Sequence, residues 1–306
     1  MAETIKLEVN ICGIHFKNPM ILASGTCGYG LELKKNIDLN KVGGISVKGL
    51  SLQPCKGNPM PRIVETSSGL INAIGLENVG VNAFINDILP HLKRFDTVII
   101  ANFWGKSIAE YVEVAELLDN SDVDMLEMTV SCPNIKEGGI SFGTDLKQLE
   151  SVTISVKKVI KNKPLIVKLS PNVGNIATFA KVAENSGANC ISAINTILAM
   201  SIDVYSFKPR IANVTGGLSG PAIKPMAVRM VYEIYKSIKI PIIGLGGIMN
   251  YMDVLEFFLA GSKAVQIGTA NFINPDSALK IIEDLTDYLN DKNIKNISEL
   301  TGKIIV

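Results

Sequence analysis

The chain has 306 residues, of which 47% are hydrophobic and 19% charged. A charged share below the usual figure of about 25% excludes a disordered chain and leaves ample material for a core. Thirty basic and 29 acidic residues leave a net charge of +1, so no global field recruits nucleic acid or an acidic membrane. The opening MAETIKLEVNICGIHF has neither a basic n-region nor a continuous apolar h-region. Apolar stretches such as 241–249 fall far short of the roughly 20 residues of a membrane helix, so a cytoplasmic location is expected. The five cysteines, Cys12, Cys27, Cys55, Cys132 and Cys190, are odd in number and form no C-x-x-C, which reads as reduced thiols. His15 and His91 are the only histidines, and both are expected at the surface or core edge. No metal site and no Ser-His triad are therefore expected.

In chain order, short runs rich in Val and Ile predict strands at 20–24, 43–48, 97–102 and 124–130. Four more follow at 164–170, 189–195, 240–246 and 264–269. Helix-period stretches lie at 80–94, 106–119, 145–162, 175–187, 224–238 and 250–260. In the first of these Val81, Phe84, Ile85, Ile88 and Leu92 share one face. The segments 186–189 and 259–263 carry glycines that stop a helix and lead into the next strand. Eight strands alternating with helices predict an α/β fold, a (β/α)8 barrel in one domain over 1–306. A doubly wound open sheet is the competing architecture. Long strand-to-helix connections at about 49–79, 131–144 and 196–223 favour the barrel, because barrel enzymes build their sites from those loops.

Glycines cluster at Gly216, Gly217 and Gly220, at Gly246 and Gly247, and at Gly268 beside Thr269. Each group alone reads as ordinary turn chemistry. The last two follow the seventh and eighth strands, where barrels hold phosphate on bare backbone N–H groups. In the first group Gly217 and Gly220 offer the same freedom. Lys48 and Lys168 end strands; a lysine in an apolar strand is costly without an anionic partner, which suits charge stabilisation of an electron-rich ring or a carboxylate. Snorkelling to the rim is the plainer explanation. Asn102, Asn134 and Asn195 follow strands three, four and six, and Asn72 lies in the second long loop. Loop chemistry explains any one of them; together their amides suit a heterocycle with alternating N–H and C=O groups. Cys132, just past strand four, is either a packed small hydrophobe or a nucleophile or general base.

The segments SCPN, VKLSPN, INT, GGLSGPAIKP, GLGGI and QIGTANF, in this order and spacing from about Asn18 to Asn274, resemble the dihydroorotate dehydrogenases. A cysteine in the SCPN loop points to class 1. NAIGLENVG and NTILAMSID are similar to the NAD-linked type, class 1B. No membrane-binding extension is expected on that ground. The resemblance implies an FMN-bearing (β/α)8 barrel that oxidises dihydroorotate to orotate in pyrimidine synthesis. FMN is then expected at Ser24, Lys48, Gly49, Asn102, Lys168 and Ile194, with its phosphate on Gly220, Gly246, Gly247, Gly268 and Thr269. Orotate is expected at Lys48, Asn72, Ala73, Ile74, Gly75, Leu76, Asn134, Asn195 and Thr196. Cys132 would take the C5 proton while C6 gives hydride to the flavin. The implied partner is a subunit with FAD and a 2Fe-2S cluster, around a homodimer core in a heterotetramer. Thr129 stands where the family usually has asparagine. A fumarate-linked class 1 enzyme, a flavoenzyme for another dihydropyrimidine and a non-catalytic phosphate-binding barrel remain alternatives.

Overall fold

The computed structural model describes residues 5–130 and 142–306. Eight parallel strands close a barrel: β1 (Met20–Leu22), β2 (Gly44–Ser46), β3 (Val98–Phe103), β4 (Met125–Thr129), β5 (Leu165–Lys168), β6 (Cys190–Ala193), β7 (Ile242–Leu245) and β8 (Ala264–Ile267). They follow one another around the barrel in chain order, and β8 closes onto β1 through Gln266 opposite Ile21 and Ile267 opposite Leu22. The architecture is a (β/α)8 TIM barrel; seven strands fall within the expected segments, and β3 runs one residue past its segment, to Phe103. Every strand is buried along its whole length, as parallel strands covered by helices outside and side chains inside must be.

The helices α1 (Ile108–Asp119), α2 (Leu146–Val159), α3 (Ile176–Asn185), α4 (Lys224–Tyr235), α5 (Tyr251–Ala260) and α6 (Ser277–Asp291) ring the barrel. Ser107, Asp145, Asn175 and Asn250 cap four of them by accepting a backbone N–H with the side chain, satisfying donors that a helix start leaves unpaired. Gly187 and Gly261 end α3 and α5 with φ of +99° and +122°, as the stop signals require. Between β1 and β2 the chain forms only short 3-10 turns, at Leu31–Lys35 and Leu39–Lys41.

The helical stretch 81–92 departs from regular periodicity. Phe84–Ile88 is a π turn. Pro90 has no N–H for the carbonyl four residues back, and its ring crowds that carbonyl. The extra residue in the turn makes Leu89 buried and Ile88 only half-buried, correcting the predicted face.

Two additions close the barrel ends. The hairpin Val9–Ile11/Ile14–Phe16 covers the end where the strands begin, burying Ile11 and Phe16 completely. At the other end, the loops expected at 49–79 and 196–223 contain a four-stranded antiparallel sheet. Its order is Ile197–Met200, Thr215–Ser219, Gly69–Asn72, Ile63–Thr66. Val64, Ile71, Ala73 and Ile211 form a small core of its own. This sheet roofs part of the barrel mouth.

Candidate active site

The cavity at the C-terminal ends of the strands draws on all eight strand ends and on the roof. Strand β1 leads into Ser24, β2 into Lys48 and Gly49, and β3 supplies Asn102. Lys168 ends β5, Ile194 to Thr196 follow β6, Gly246 and Gly247 follow β7, and Gly268 and Thr269 follow β8. All eleven positions expected at the flavin therefore line one cavity. Of the expected orotate positions, Lys48, Asn72, Gly75, Leu76, Asn195 and Thr196 also line it.

Ala73 and Ile74 do not. Strand alternation turns Ala73 away from Asn72 and into the roof's small core, where it is fully buried, and its N–H donates to Arg62 O at 2.8 Å. The Ile74 carbonyl accepts from Asn58 N at 2.9 Å, outside the cavity lining. Gly217 is also reassigned: a Cβ there would meet Thr196 Oγ1 at 2.0 Å, so this glycine makes room for Thr196 and does not line the cavity. Cys132 and Asn134 lie outside the described residues.

The phosphate end has a clear physical basis. Gly246 and Gly247 have φ of +129° and +80°, and a Cβ on Gly247 would meet Gly220 O at 2.8 Å. Among the described residues, the backbone N–H groups of Gly220, Gly246, Gly247, Gly268 and Thr269 donate to no protein acceptor. Unpaired N–H groups around a cavity need an acceptor from a ligand or water, and several converging on one point suit an anion. Thr269 Oγ1 donates to Ser219 Oγ at 2.9 Å, tying the eighth strand end to the roof.

The ring end is a polar layer inside the barrel. Lys168 is 6% exposed, and among the described residues its ammonium makes no hydrogen bond or ion pair. Asn102 Nδ2 donates to Glu127 Oε2 at 2.7 Å and to Thr129 Oγ1 at 2.9 Å. Gly49 is required here, since a Cβ would stand 2.9 Å from Asn102 Oδ1. Thr129 thus fills its place by bonding Asn102 directly. Burial foremost lowers the Lys48 pKa, with Arg62 adding to that and Glu77 opposing it. Glu127 is fully buried; burial alone would raise its pKa, but the Lys168 charge and the bonds from Ser46 and Asn102 outweigh it and hold the carboxyl below its ordinary range.

Sequence reading missed Glu127 and Gln266, as well as Thr26, Leu70, Ser219 and Phe272, which line the cavity as Gln266 does. Glu127 and Gln266 carried a readable signal. Each is a polar residue in an apolar strand, the same argument that singled out Lys168. The roof residues carried none, because their strands sit in segments that read as loops.

A closed barrel with unpaired backbone donors and a lysine–amide layer at its mouth defines a barrel suited to a phosphorylated ligand bearing a polar planar ring. The chain belongs to the dihydroorotate dehydrogenase family, whose model matches residues 6–289. It is 56% identical over 300 residues to the "Dihydroorotate dehydrogenase B (NAD(+)), catalytic subunit" of Caldicellulosiruptor bescii, covering 98% of this chain and 99% of that protein. Proteins of the same name from Alkaliphilus oremlandii and Geobacter sp. (strain M21) are 49% and 50% identical, each covering 97% of this chain and 98% of their own length. The family is flavin-dependent. The residues present fit such a group: the unpaired N–H groups suit its phosphate, and Lys168 and the asparagine and glutamine amides suit its ring.

Proposed function

We propose that this chain oxidises dihydroorotate to orotate in pyrimidine biosynthesis as the catalytic subunit of an NAD-linked enzyme, with one FMN in the cavity. The convergence of all eleven expected flavin positions on one cavity carries the reading. FMN, held by these residues, would supply the acceptor for hydride from C6 of the substrate. Lys168 supplies positive charge beside the ring as electrons arrive. Lys48, Asn72 and Asn195 orient the substrate's carboxylate and ring amides. Cys132 takes the C5 proton, with Asn134 on the same loop contacting substrate. FMN fits better than FAD because the glycine cluster is suited to a single terminal phosphate at the end of the groove.

The relatives are named catalytic subunits, which implies another subunit. By the resemblance to the NAD-linked class, we assign it FAD and a 2Fe-2S cluster. The proposed assembly is a heterotetramer on a homodimer core. The small hairpin Ile202–Asp203/Lys208–Pro209, in the connection between two roof strands, supports the dimer, with Val204, Tyr205 and Phe207 at 69%, 93% and 88% exposed. No helix among the described residues is long and apolar enough to cross a membrane, and we assign the enzyme to the cytoplasm. The continuous core from Val9 to Ile297 supports one domain over 1–306.

The test is the purified chain. It should release one FMN on denaturation, and orotate but not uracil should perturb the flavin spectrum. Dihydroorotate should reduce artificial dyes, while NAD reduction should require the partner subunit. A colourless protein, or robust NAD reduction by the pure chain, overturns the reading.

A further inference from the structure

Glu127 lies inside the barrel, beneath the cavity, with no exposed surface. Burying a carboxylate there costs several kcal/mol unless it is both paired and hydrogen-bonded. Here three side chains from three strands converge on it. Gln266 Nε2 of β8 donates to Oε1 at 2.6 Å. Asn102 Nδ2 of β3 and Ser46 Oγ of β2 each donate to Oε2 at 2.7 Å. Ser46 is the last residue of β2, and Asn102 and Gln266 each stand one residue before the end of their strands.

An ionised carboxylate only accepts hydrogen bonds. Each amide must therefore turn its NH2 toward Glu127 and its carbonyl elsewhere. For Asn102 the carbonyl accepts from Thr129 Oγ1 at 3.1 Å. For Gln266 the result is more telling: its Oε1 is buried without a hydrogen-bond partner, in a residue that lines the cavity. A buried acceptor without a donor is costly, so this atom is set to receive an N–H from a bound ring. Without the carboxylate the amide is free to flip and present donors instead.

The charge has a second effect. Lys168 lines the same cavity and forms no ion pair within 4.0 Å, yet its field reaches Glu127 and helps keep it ionised. Interaction between buried charges falls only inversely with distance. Glu127 therefore offsets part of the Lys168 charge that a bound ring feels.

We propose that Glu127 is a positioning residue of the flavin site, which fixes the facing of the Asn102 and Gln266 amides and sets the reduction potential of the bound flavin by balancing Lys168. The inference rests on the proposed flavin site. With Glu127 neutral, Lys168 is less compensated, electrons on the ring are favoured, and the potential rises.

The experiment measures the midpoint potential and flavin affinity of the purified holo-chain by spectroelectrochemistry and fluorescence. Glu127→Gln should raise the potential and weaken flavin binding at least tenfold. Glu127→Asp should keep the potential near wild type, because the charge remains, while weakening flavin binding by less. In a Lys168→Met background the buried Glu127 carboxyl loses the field that keeps it ionised and is already neutral, so Glu127→Gln should shift the potential far less. A wild-type potential in Glu127→Gln, or an equal shift with and without Lys168, overturns the inference. If Glu127→Gln retains no flavin, rescue by Glu127→Asp supports it and failure of that rescue overturns it. A wild-type chain without flavin overturns the proposed function itself, whereas a loaded wild type with a flat variant series overturns only the role of Glu127.

Discussion

Gly247 and Gly268 both line the proposed phosphate end, yet the structure gives their alanine variants opposite consequences. A Cβ on Gly247 would stand 2.8 Å from Gly220 O and 2.9 Å from Lys224 N, at a φ of +80°. The left-handed backbone costs about 1–2 kcal/mol for a residue with a side chain, and crowding against backbone adds about 1–3 kcal/mol. Gly247→Ala should therefore lower the melting temperature of flavin-free protein by on the order of 5–15 °C. A Cβ on Gly268 would meet only Ala23 Cβ at 3.7 Å and Thr26 Cγ2 at 3.8 Å, ordinary contacts, at a permitted φ. Gly268→Ala should leave the stability of the flavin-free protein unchanged within about 0.5 kcal/mol. Its methyl group stands where a phosphate must approach the backbone. Loss of one charge-assisted hydrogen bond, about 1.5–3 kcal/mol, weakens FMN binding roughly 10- to 100-fold. Melting curves of flavin-free protein and an FMN titration followed by fluorescence read the two effects separately. Wild-type FMN affinity in Gly268→Ala would show that the phosphate does not lie there.

The other predictions test the ring end, the thiols and the acid response. Lys168→Ala should slow flavin reduction far more than it weakens orotate binding; equal losses in stopped-flow and titration would make Lys168 a substrate ligand instead. Cys132→Ala should lose roughly 10²–10⁴-fold in flavin reduction by dihydroorotate while still binding FMN and orotate; the wild-type rate should rise with pH toward the thiol's free value of about 8.5, and a near wild-type alanine variant removes Cys132 from the mechanism. Burial foremost, with Glu32 nearby, pushes the Cys27 thiol up to about 12, whereas hydrogen bonding with Cys190 foremost, helped by Lys263 and Lys157, outweighs burial and lowers Cys12. Iodoacetamide at pH 8 followed by peptide mass spectrometry should label half-buried Cys12 well before Cys27. Glu127 is held below its ordinary value of 4.5, so the unfolded chain binds more protons in that window; its stabilisation is present above the ordinary value and is lost as pH falls through the folded one. Glu127→Gln should flatten the acid limb of stability against pH, and an unchanged limb refutes the pairing.

The barrel was legible because its strands are short, apolar runs whose burial is dictated by composition alone. The glycines after β7 and β8 were legible for a related reason: their chemistry is local, and backbone N–H groups serve an anion wherever the chain turns. The roof was not, because the strands Gly69–Asn72 and Thr215–Ser219 pair across 145 or more residues of sequence, as Asn72 opposite Gly217 illustrates. Gly216 and Gly217 disguise a strand as a turn; a Cβ on Gly216 would meet Asn72 O at 2.6 Å, so the close pairing itself demands glycine. The same long-range pairing separates Ala73 from its neighbours Asn72 and Gly75, a distinction no local pattern carries.

The arrangement divides recognition by the kind of group that each strand end can offer. Strands β7 and β8 lead directly into glycine and present backbone donors, which cannot be titrated and whose positions the barrel fixes. Strand β2 leads into Lys48 and β5 ends in Lys168, and these present charge. Strands β3, β4 and β8 contribute Asn102, Glu127 and Gln266, whose mutual bonds at 2.6–2.7 Å lock the amides before any ligand arrives. A site preorganised in this way spends no binding energy on turning its own dipoles, which is the condition under which fixed charges favour a developing negative ring most strongly. The roof completes it by bringing Asn72, on a strand of that sheet, and Leu76, four residues beyond, to the cavity, the sheet being tied back to the barrel through Ser219 and Thr269. Loosening that tie should therefore weaken the proposed substrate and phosphate contacts together.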